Sequence, residues 1–128
     1  MLLGAHLSTA GGVDKAFDRA AALDCTAFQI FTKSNRQWKA APLDPTAIER
    51  YHQRQTESGI KPVVCHASYL LNFGTADDAL WSKSINALVI ELERCEQLQI
   101  PYLVLHPGAH MKAGIEAGIA RVIEALDL

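Results

Sequence analysis

The sequence predicts an α/β fold in which four βα units follow one another around a parallel sheet. Three observations support this prediction. Short apolar runs alternate with helical apolar periodicity, three of those runs end on a histidine, and no linker or low-complexity tract divides the 128 residues. This alternation implies right-handed crossovers between parallel strands. Near-continuous apolar strands are typical of a parallel sheet that is covered on both faces.

The first two units are predicted over residues 2–58. An apolar run at 2–8 predicts the first strand, and a helix over about 13–23 follows with its apolar positions on one face. Residues 25–32 are β-branched and aromatic, which favours a second strand. The second helix is expected from Pro45 to about Ser58, because Asp44 suits the N-cap and Gly59 suits the C-terminus.

The last two units are predicted over residues 61–128. The runs at 61–68 and 102–106 predict the third and fourth strands, and a long helix is expected over about 77–98. An apolar stripe predicts the fourth helix, and it consists of Ile115, Ile119, Val122 and Leu126. Four units make half of a (β/α)8 barrel, which takes about 250 residues. A small doubly wound sheet is the alternative at this length.

Composition limits the class of protein. With 49% hydrophobic and 20% charged residues, the chain is expected to be one soluble globular unit. The net charge of −2 gives no global indication of a nucleic-acid partner. Three cysteines fit neither a disulfide framework nor a zinc motif, so buried thiols are expected. Neither a membrane span nor a signal peptide is recognisable, which favours the cytoplasm and no membrane partner.

Histidines follow three of the predicted strands. His6, His66 and His106 each end an apolar run, and the carboxyl ends of parallel strands meet at one edge of a sheet. Neutral imidazoles drawn from separate strands are ligands that zinc accepts. A histidine after a strand is also common as a hydrogen-bonded core residue, so the spacing leaves both interpretations open.

The segment after the second strand has a different composition. No acidic residue lies between Asp24 and Asp44, whereas Lys33, Arg36 and Lys39 fall inside that interval, with two amides and Trp38 between them. Cations that hold phosphates, amides that read polar edges and an aromatic ring that stacks are typical of a loop that contacts nucleic acid. A solvated loop is the alternative. Tyr69, in the next such loop, could stack on a base or pack internally.

Four motifs resemble the endonuclease IV family of apurinic/apyrimidinic endonucleases. They are GAHLSTAGG, AFQIFTKSNRQW, HASYLLN and LHPGAH, in the order and at the spacings of the family, and they span essentially the whole chain. The resemblance implies a (β/α)8 TIM barrel with three zinc ions at the carboxyl rim. It also implies hydrolysis of the phosphodiester on the 5′ side of an abasic site in double-stranded DNA.

The resemblance also implies roles for residues of the motifs. His66 and His106 correspond to two ligands of one zinc ion, and His6 and His110 are expected behind the ligands. No catalytic residue beyond the metal ligands is expected in this part of the barrel.

The DNA contacts implied by the resemblance lie in two loops. Arg36 and Tyr69 are expected to insert into the duplex at the lesion. Lys33, Asn35 and Gln37 are expected to contact DNA from the loop.

The remaining ligands of the family lie in the second half of its barrel. Residues 1–128 are therefore expected to be the N-terminal half of a TIM-barrel endonuclease domain, truncated and inactive alone, because two histidines leave a tetrahedral site two ligands short. Unpaired edges on the first and fourth strands favour self-association. The alternatives are a metal-dependent sugar isomerase or epimerase and a non-catalytic DNA-binding fragment.

Overall fold

In a computed structural model that describes residues 1–128, a three-stranded parallel sheet carries helices on one face. The strands lie in the order β1-β2-β3 and are β1 (Phe28–Ile30), β2 (Val63–His66) and β3 (Tyr102–Val104). The helices are α1 (Lys15–Ala22), α2 (Pro45–Ser58), α3 (Asp78–Gln97) and α4 (Ile115–Leu126). The predicted α/β class and the parallel sheet are confirmed.

The first predicted strand is reduced to a single bridge. His6 pairs in parallel with Gln29, because the Leu7 N–H donates to the Gln29 carbonyl at 2.8 Å and the Gln29 N–H donates to the Ala5 carbonyl at 3.0 Å. Towards the N-terminus, the Leu3 N–H donates to the Thr26 hydroxyl at 2.8 Å. The Leu3 carbonyl still accepts from the Thr26 N–H at 2.9 Å, but the Leu3 N–H is bound by a side chain, which interrupts the regular ladder. The segment still places His6 beside β1.

The sheet has one covered face and one open face. The covered face carries side chains that are at most 3% exposed, namely Phe28, Ile30, Val63 and Cys65. On the opposite face, which we call the open face, Tyr102 is 58% exposed and Val104 is 46% exposed. The expectation that both faces are covered is wrong, since no helix lies on the open face.

The predicted face of α1 is confirmed. Ala16, Phe17 and Ala20 are fully buried. The Phe17 ring meets Phe28 and Tyr51 edge-on, with ring centroids 5.0 Å and 5.1 Å apart. This geometry is favourable for aromatic pairs, and it fixes α1 and α2 against the sheet.

The apolar stripe of α3 is largely confirmed, and that of α4 is not. On α3, Leu88 and Cys95 of the stripe Trp81, Ile85, Leu88, Leu92 and Cys95 are buried, but Leu92 is 48% exposed, and the charged Glu91 and Arg94 are only 1% and 8% exposed. On α4, the small residues Gly118 and Ala125 are the buried ones. The large side chains of its predicted stripe point outwards, with exposures of 69% at Ile115, 55% at Ile119 and 56% at Leu126, and Val122 is half-buried.

Two further sequence expectations concern thiols and membranes. Cys65 and Cys95 lie in the core as free thiols, while Cys25 is half-buried. None of the helices combines the length and apolar character needed to cross a bilayer.

Candidate functional site

Five rings meet at the carboxyl ends of the strands, on the open face. The imidazoles of His66 and His106 have centroids 5.2 Å apart, and the His6 ring is 6.4 Å from that of His66. Phe31 lies between them, 4.3 Å from His6 and 5.5 Å from His66. We call this group the rim cluster, and its members are His6, Phe31, His66, Tyr69 and His106.

Strand periodicity explains why the rim cluster forms. Alternate residues of a strand point to the same face. Phe31 therefore lies on the same face as Gln29, His66 on that of Val64, and His106 on that of Val104. The pairing of Gln29 with Val64 and of His66 with Val104 places these positions at adjacent levels of the sheet. The predicted convergence of the three strand-end histidines is therefore a consequence of register.

The orientation of His66 leaves one ring nitrogen available. Its Nδ1 lies 2.7 Å from the Ala67 carbonyl oxygen, which can only accept a hydrogen bond. Nδ1 therefore carries the proton, and the Nε2 lone pair is free. Metal-binding histidines commonly donate their second nitrogen to a carbonyl in this way. His66 is 7% exposed and His106 is exposed, so one imidazole of the pair is buried and the other is accessible to solvent.

The two imidazoles have a spacing that suits one metal ion. With metal–nitrogen bonds of about 2.0–2.1 Å and a tetrahedral angle, two bound imidazole rings have centres about 5 Å apart. The observed separation is 5.2 Å. No group of three or more His, Cys, Asp or Glu side chains is placed to hold a metal. The donor set within this chain is thus a pair, which fits part of a zinc site.

His6 and His110 have other partners. The Gln29 side-chain amide donates to His6 Nδ1 at 2.8 Å, so a neutral His6 carries its proton on Nε2. Partial burial and the neighbouring His66 both lower the pKa of His6. His110 takes part in none of the ring contacts of the rim cluster, and its Nδ1 accepts from the Gly114 N–H at 3.2 Å. It stabilises the turn before α4, and its expected place behind the ligands stays a prediction.

Tyr69 at the rim cluster and Arg36 in the loop after β1 are both exposed. Tyr69 is 59% exposed, and its ring lies 5.2 Å from His66 and 5.5 Å from His106. Arg36 is exposed and takes part in none of the salt bridges. Both side chains are free to contact a ligand that approaches the strand ends.

Lys33 and Trp38 differ from the exposed groups expected in this loop. The Lys33 side chain is 4% exposed, and its Nζ donates to the Gln37 carbonyl at 2.7 Å. Trp38 is half-buried and lies under Lys83, whose Nζ is 4.3 Å from the ring centroid. The Lys33 ammonium group therefore binds a backbone carbonyl of its own loop and presents no charge to solvent. Trp38 packs against α3 through Lys83 and is only partly exposed.

Asn35 and Gln37 are placed differently from each other. Asn35 is half-buried, and its carbonyl accepts from the Ser68 hydroxyl at 2.9 Å. Gln37 is exposed, and only its carbonyl is bound, by Lys33. Their expected contacts with DNA stay predictions, and Gln37 has the more accessible side chain.

Sequence reasoning missed Phe31 and Glu91. Phe31 had a detectable signal, because it ends the apolar run of β1 as each histidine ends its own run. Glu91 had none, since an acidic residue inside an amphipathic helix is ordinarily solvated.

Residues 17–128 match the family model of the xylose isomerase-like TIM barrel. The chain belongs to this family, and its sheet and helices are a partial barrel.

Within the family, the chain is similar to proteins named endonuclease 4. It is 50% identical over 123 residues to a probable endonuclease 4 of Chloroflexus aurantiacus, covering 96% of this chain and 43% of the relative. It is 42% identical over 127 residues to a probable endonuclease 4 of Halothermothrix orenii, covering 99% of this chain and 46% of the relative. The predicted resemblance to the endonuclease IV family is confirmed.

Solved structures agree with this assignment. The crystal structure of endonuclease IV from Thermus thermophilus matches with a TM-score of 0.78 and 39% identity, covering 98% of this chain and 47% of that chain. SacUVDE matches with a TM-score of 0.69 at 14% identity, which shows a shared fold only. The chain spans about half the length of the relatives that it matches.

Proposed function

We propose that this chain supplies the DNA-recognition loops and two zinc ligands of a repair endonuclease acting on abasic sites in double-stranded DNA. The observation that carries the proposal is the placement of an exposed Tyr69 against the paired imidazoles of His66 and His106. Relatives named endonuclease 4 support the nuclease class. The bond hydrolysed would be the phosphodiester on the 5′ side of the lesion. A cytoplasmic location stays a prediction.

The residues of the rim have separate roles in this proposal. His66 and His106 would hold one zinc ion, with the His66 Nε2 lone pair freed by the bond to Ala67. Zinc supplies Lewis acidity towards a phosphate ester when bound. Tyr69 and Arg36 would enter the duplex where a base is missing. Unstacking costs least at such a position, so the damage itself favours binding there.

The isolated chain is proposed to bind damaged DNA without cleaving it. A pair of imidazoles leaves a tetrahedral site incomplete, and the family resemblance implies three zinc ions. The alternative of a sugar isomerase or epimerase is less suited to two adjoining loops that expose a guanidinium and a tyrosine. Arg36 and Tyr69 carry this argument, because the Lys33 side chain is buried and Trp38 is half-buried.

A second copy of the chain is the proposed occupant of the apolar surface left open by the partial barrel. This surface is the outer side of α4, where Ile115, Ile119 and Ile123 are more than half exposed. Two copies related by a two-fold axis would each cover this surface of the other.

Binding and cleavage of two matched duplexes test the proposed function. One duplex carries a single tetrahydrofuran abasic analogue and the other is intact, and both are assayed with and without zinc. We expect tighter binding of the damaged duplex, no cleavage, and a loss of the preference in Arg36→Ala and Tyr69→Ala.

Tyr102→Ala is the control, because Tyr102 is 58% exposed on the same face but lies at the opposite end of its strand. Equal affinity of the unmodified chain for both duplexes would refute the proposal. Zinc-dependent cleavage would refute the proposed inactivity of the isolated chain.

A further inference from the structure

Two loops carry the exposed groups of the site. The arginine loop (31–44) joins β1 to α2 and contains Arg36, and the tyrosine loop (67–77) joins β2 to α3 and contains Tyr69. If both side chains enter one lesion, the distance between the loops has to be set before DNA arrives. The fold must therefore contain a connection between them.

The carboxylate of Glu91 on α3 contacts both loops. Its Oε1 accepts from the Ser68 N–H of the tyrosine loop at 3.0 Å. Its Oε2 accepts from the Thr32 hydroxyl of the arginine loop at 3.4 Å. The side chain is 1% exposed, so these donors replace water around a buried charge.

Lys33 extends this connection to the segment that carries Arg36. Its Nζ lies 3.7 Å from Glu91 Oε1, which is an ion pair longer than a hydrogen bond. The same Nζ donates to the Ser34 carbonyl at 3.3 Å and to the Gln37 carbonyl at 2.7 Å. These carbonyls lie on either side of Arg36. The conformation around Arg36 thus depends on an ammonium group that Glu91 neutralises.

The two loops also touch each other beside this ion pair. The Ser68 hydroxyl donates to the Asn35 carbonyl at 2.9 Å. The Ser68 side chain therefore reaches the arginine loop while its amide is bound to Glu91. Tyr69 is the next residue in the chain, so the position of its backbone follows from these two bonds.

Arg94, one helical turn after Glu91, fixes the ends of the arginine loop. Its Nε donates to the Thr32 carbonyl at 3.1 Å, and its guanidinium also donates to the Ala41 carbonyl at 2.8 Å. Arg94 thus holds the ends of the arginine loop and Lys33 holds its centre. Glu91, together with the Ser68–Asn35 bond, joins this loop to the tyrosine loop.

We propose that Glu91 is a positioning residue that sets the separation of Arg36 and Tyr69, and through it the preference for abasic over intact DNA. This inference rests on the proposed function and deepens it. An ordinary core residue at this position would affect stability alone. A positioning residue changes selectivity in a protein that is still folded.

Glu91→Gln is the primary variant, because it keeps the shape and removes the charge that holds Lys33. Glu96→Gln is its matched control, the same substitution at an exposed position of the same helix. The first measurement is backbone hydrogen exchange without DNA. We expect exchange in both loops, and at the Ser68 amide, to rise about tenfold or more, with α1 and α2 unchanged. Unchanged loops, or uniformly faster exchange, would overturn the proposed connection.

The second measurement is the ratio of affinities for the abasic and intact duplexes at a temperature where circular dichroism shows both variants folded. We expect the ratio to fall about tenfold or more towards unity in Glu91→Gln and to persist in Glu96→Gln. A retained ratio would refute the positioning role. If the unmodified chain shows no preference, the proposed function fails, while the exchange measurement still decides whether Glu91 joins the loops.

Lys33→Met provides a second variant in case Glu91→Gln fails to fold. It leaves Glu91 bound to Ser68 and Thr32 but removes the ammonium group that binds the carbonyls on either side of Arg36. We expect faster exchange in the arginine loop only, with the Ser68 amide still protected. Release of the Ser68 amide in Lys33→Met would contradict the distinct roles assigned to the two residues.

Discussion

A single carbonyl oxygen decides which nitrogen of His66 is available. Because the Ala67 carbonyl accepts a hydrogen bond from Nδ1–H, a neutral His66 offers its Nε2 lone pair beside His106. His6 is bound the opposite way by Gln29 and keeps a proton on Nε2. Neighbouring imidazoles at one rim are therefore not equivalent, since His66 presents an acceptor nitrogen and His6 presents an N–H donor.

Zinc binding should follow this distinction. We expect His66→Ala or His106→Ala to weaken zinc affinity by about 100-fold or more, since loss of a ligand exceeds the 10–100-fold effect of an outer-shell partner. Competition with a chromophoric zinc indicator measures the affinity. His52→Ala is the control, because His52 is bound to the Gln97 carbonyl away from the rim. Equal loss in His52→Ala would show that the measured zinc is bound elsewhere.

Gly108 controls the approach of the loop that follows His106. Its φ is +104°, and a Cβ there would lie 2.1 Å from the Asn72 side-chain oxygen. That oxygen accepts from the Gly74 and Ala109 N–H groups, joining this loop to the tyrosine loop. Close contact and backbone conformation both require glycine at this position.

Gly108→Ala should destabilise the chain by about 2–4 kcal/mol, because strained backbone and steric overlap add. Gly114→Ala is a matched control, since Gly114 has a φ of +102° but nothing within 4 Å of an added Cβ. Chemical denaturation of both variants isolates the overlap at Gly108. Equal losses of unfolding free energy would mean that the contact with Asn72 has no energetic role.

At the scale of elements, α2 shows what local chemistry can specify. Its start and end match the prediction because Asp44, Pro45 and Gly59 act within one turn of the helix. Asp44 accepts from the Thr46 and Ala47 N–H groups at 2.7 Å and 3.3 Å, and Gly59 has a φ of +65°. Such signals need no knowledge of the tertiary structure.

The hydrogen bonds to Asp44 predict a pH dependence. Bonds from Thr46, and then from Ala47, lower the pKa of the Asp44 carboxyl from its ordinary value of 3.8. The unfolded chain then binds the proton more tightly, so this stabilisation is present above pH 3.8 and is lost as the pH falls through the folded pKa. Asp44→Asn, which caps without titrating, should show a flatter loss of thermal stability between about pH 5 and pH 2. A slope identical to that of the unmodified chain would contradict this.

The other helices show where local signals end. The stripe on α4 predicted a helix but not its orientation, because Gly118 allows His110 to approach and turns the large residues outwards. On α3, Glu91 and Arg94 are buried only because loops distant in sequence cover them. The strand-end histidines were predictable, since position along a strand determines the edge. The buried Lys33 was not, because its partner Glu91 is 58 residues away in the sequence.

At the scale of the whole molecule, helices cover one face of the sheet, and the outer side of α4 is itself apolar. Ile115, Ile119 and Ile123 of α4 are 69%, 55% and 55% exposed, and Tyr102 and Val104 form a separate exposed apolar area on the open face. Extended apolar patches on soluble chains usually mark interaction surfaces. Half-covered parallel strands are also uncommon, since parallel sheets are normally buried on both faces.

Self-association should therefore depend on α4. We expect the chain to sediment as a dimer or larger species at about 1–100 μM, because two copies can cover each other's apolar surfaces with closed two-fold symmetry. The double variant Ile119→Lys/Ile123→Lys places charges in that surface and should shift sedimentation to the monomer. Leu23→Lys is the control, since Leu23 is 62% exposed at the end of α1, outside this surface. A sharp monomeric boundary for the unmodified chain, together with a cooperative melt, would show that the chain is stable with the apolar surface of α4 exposed to solvent.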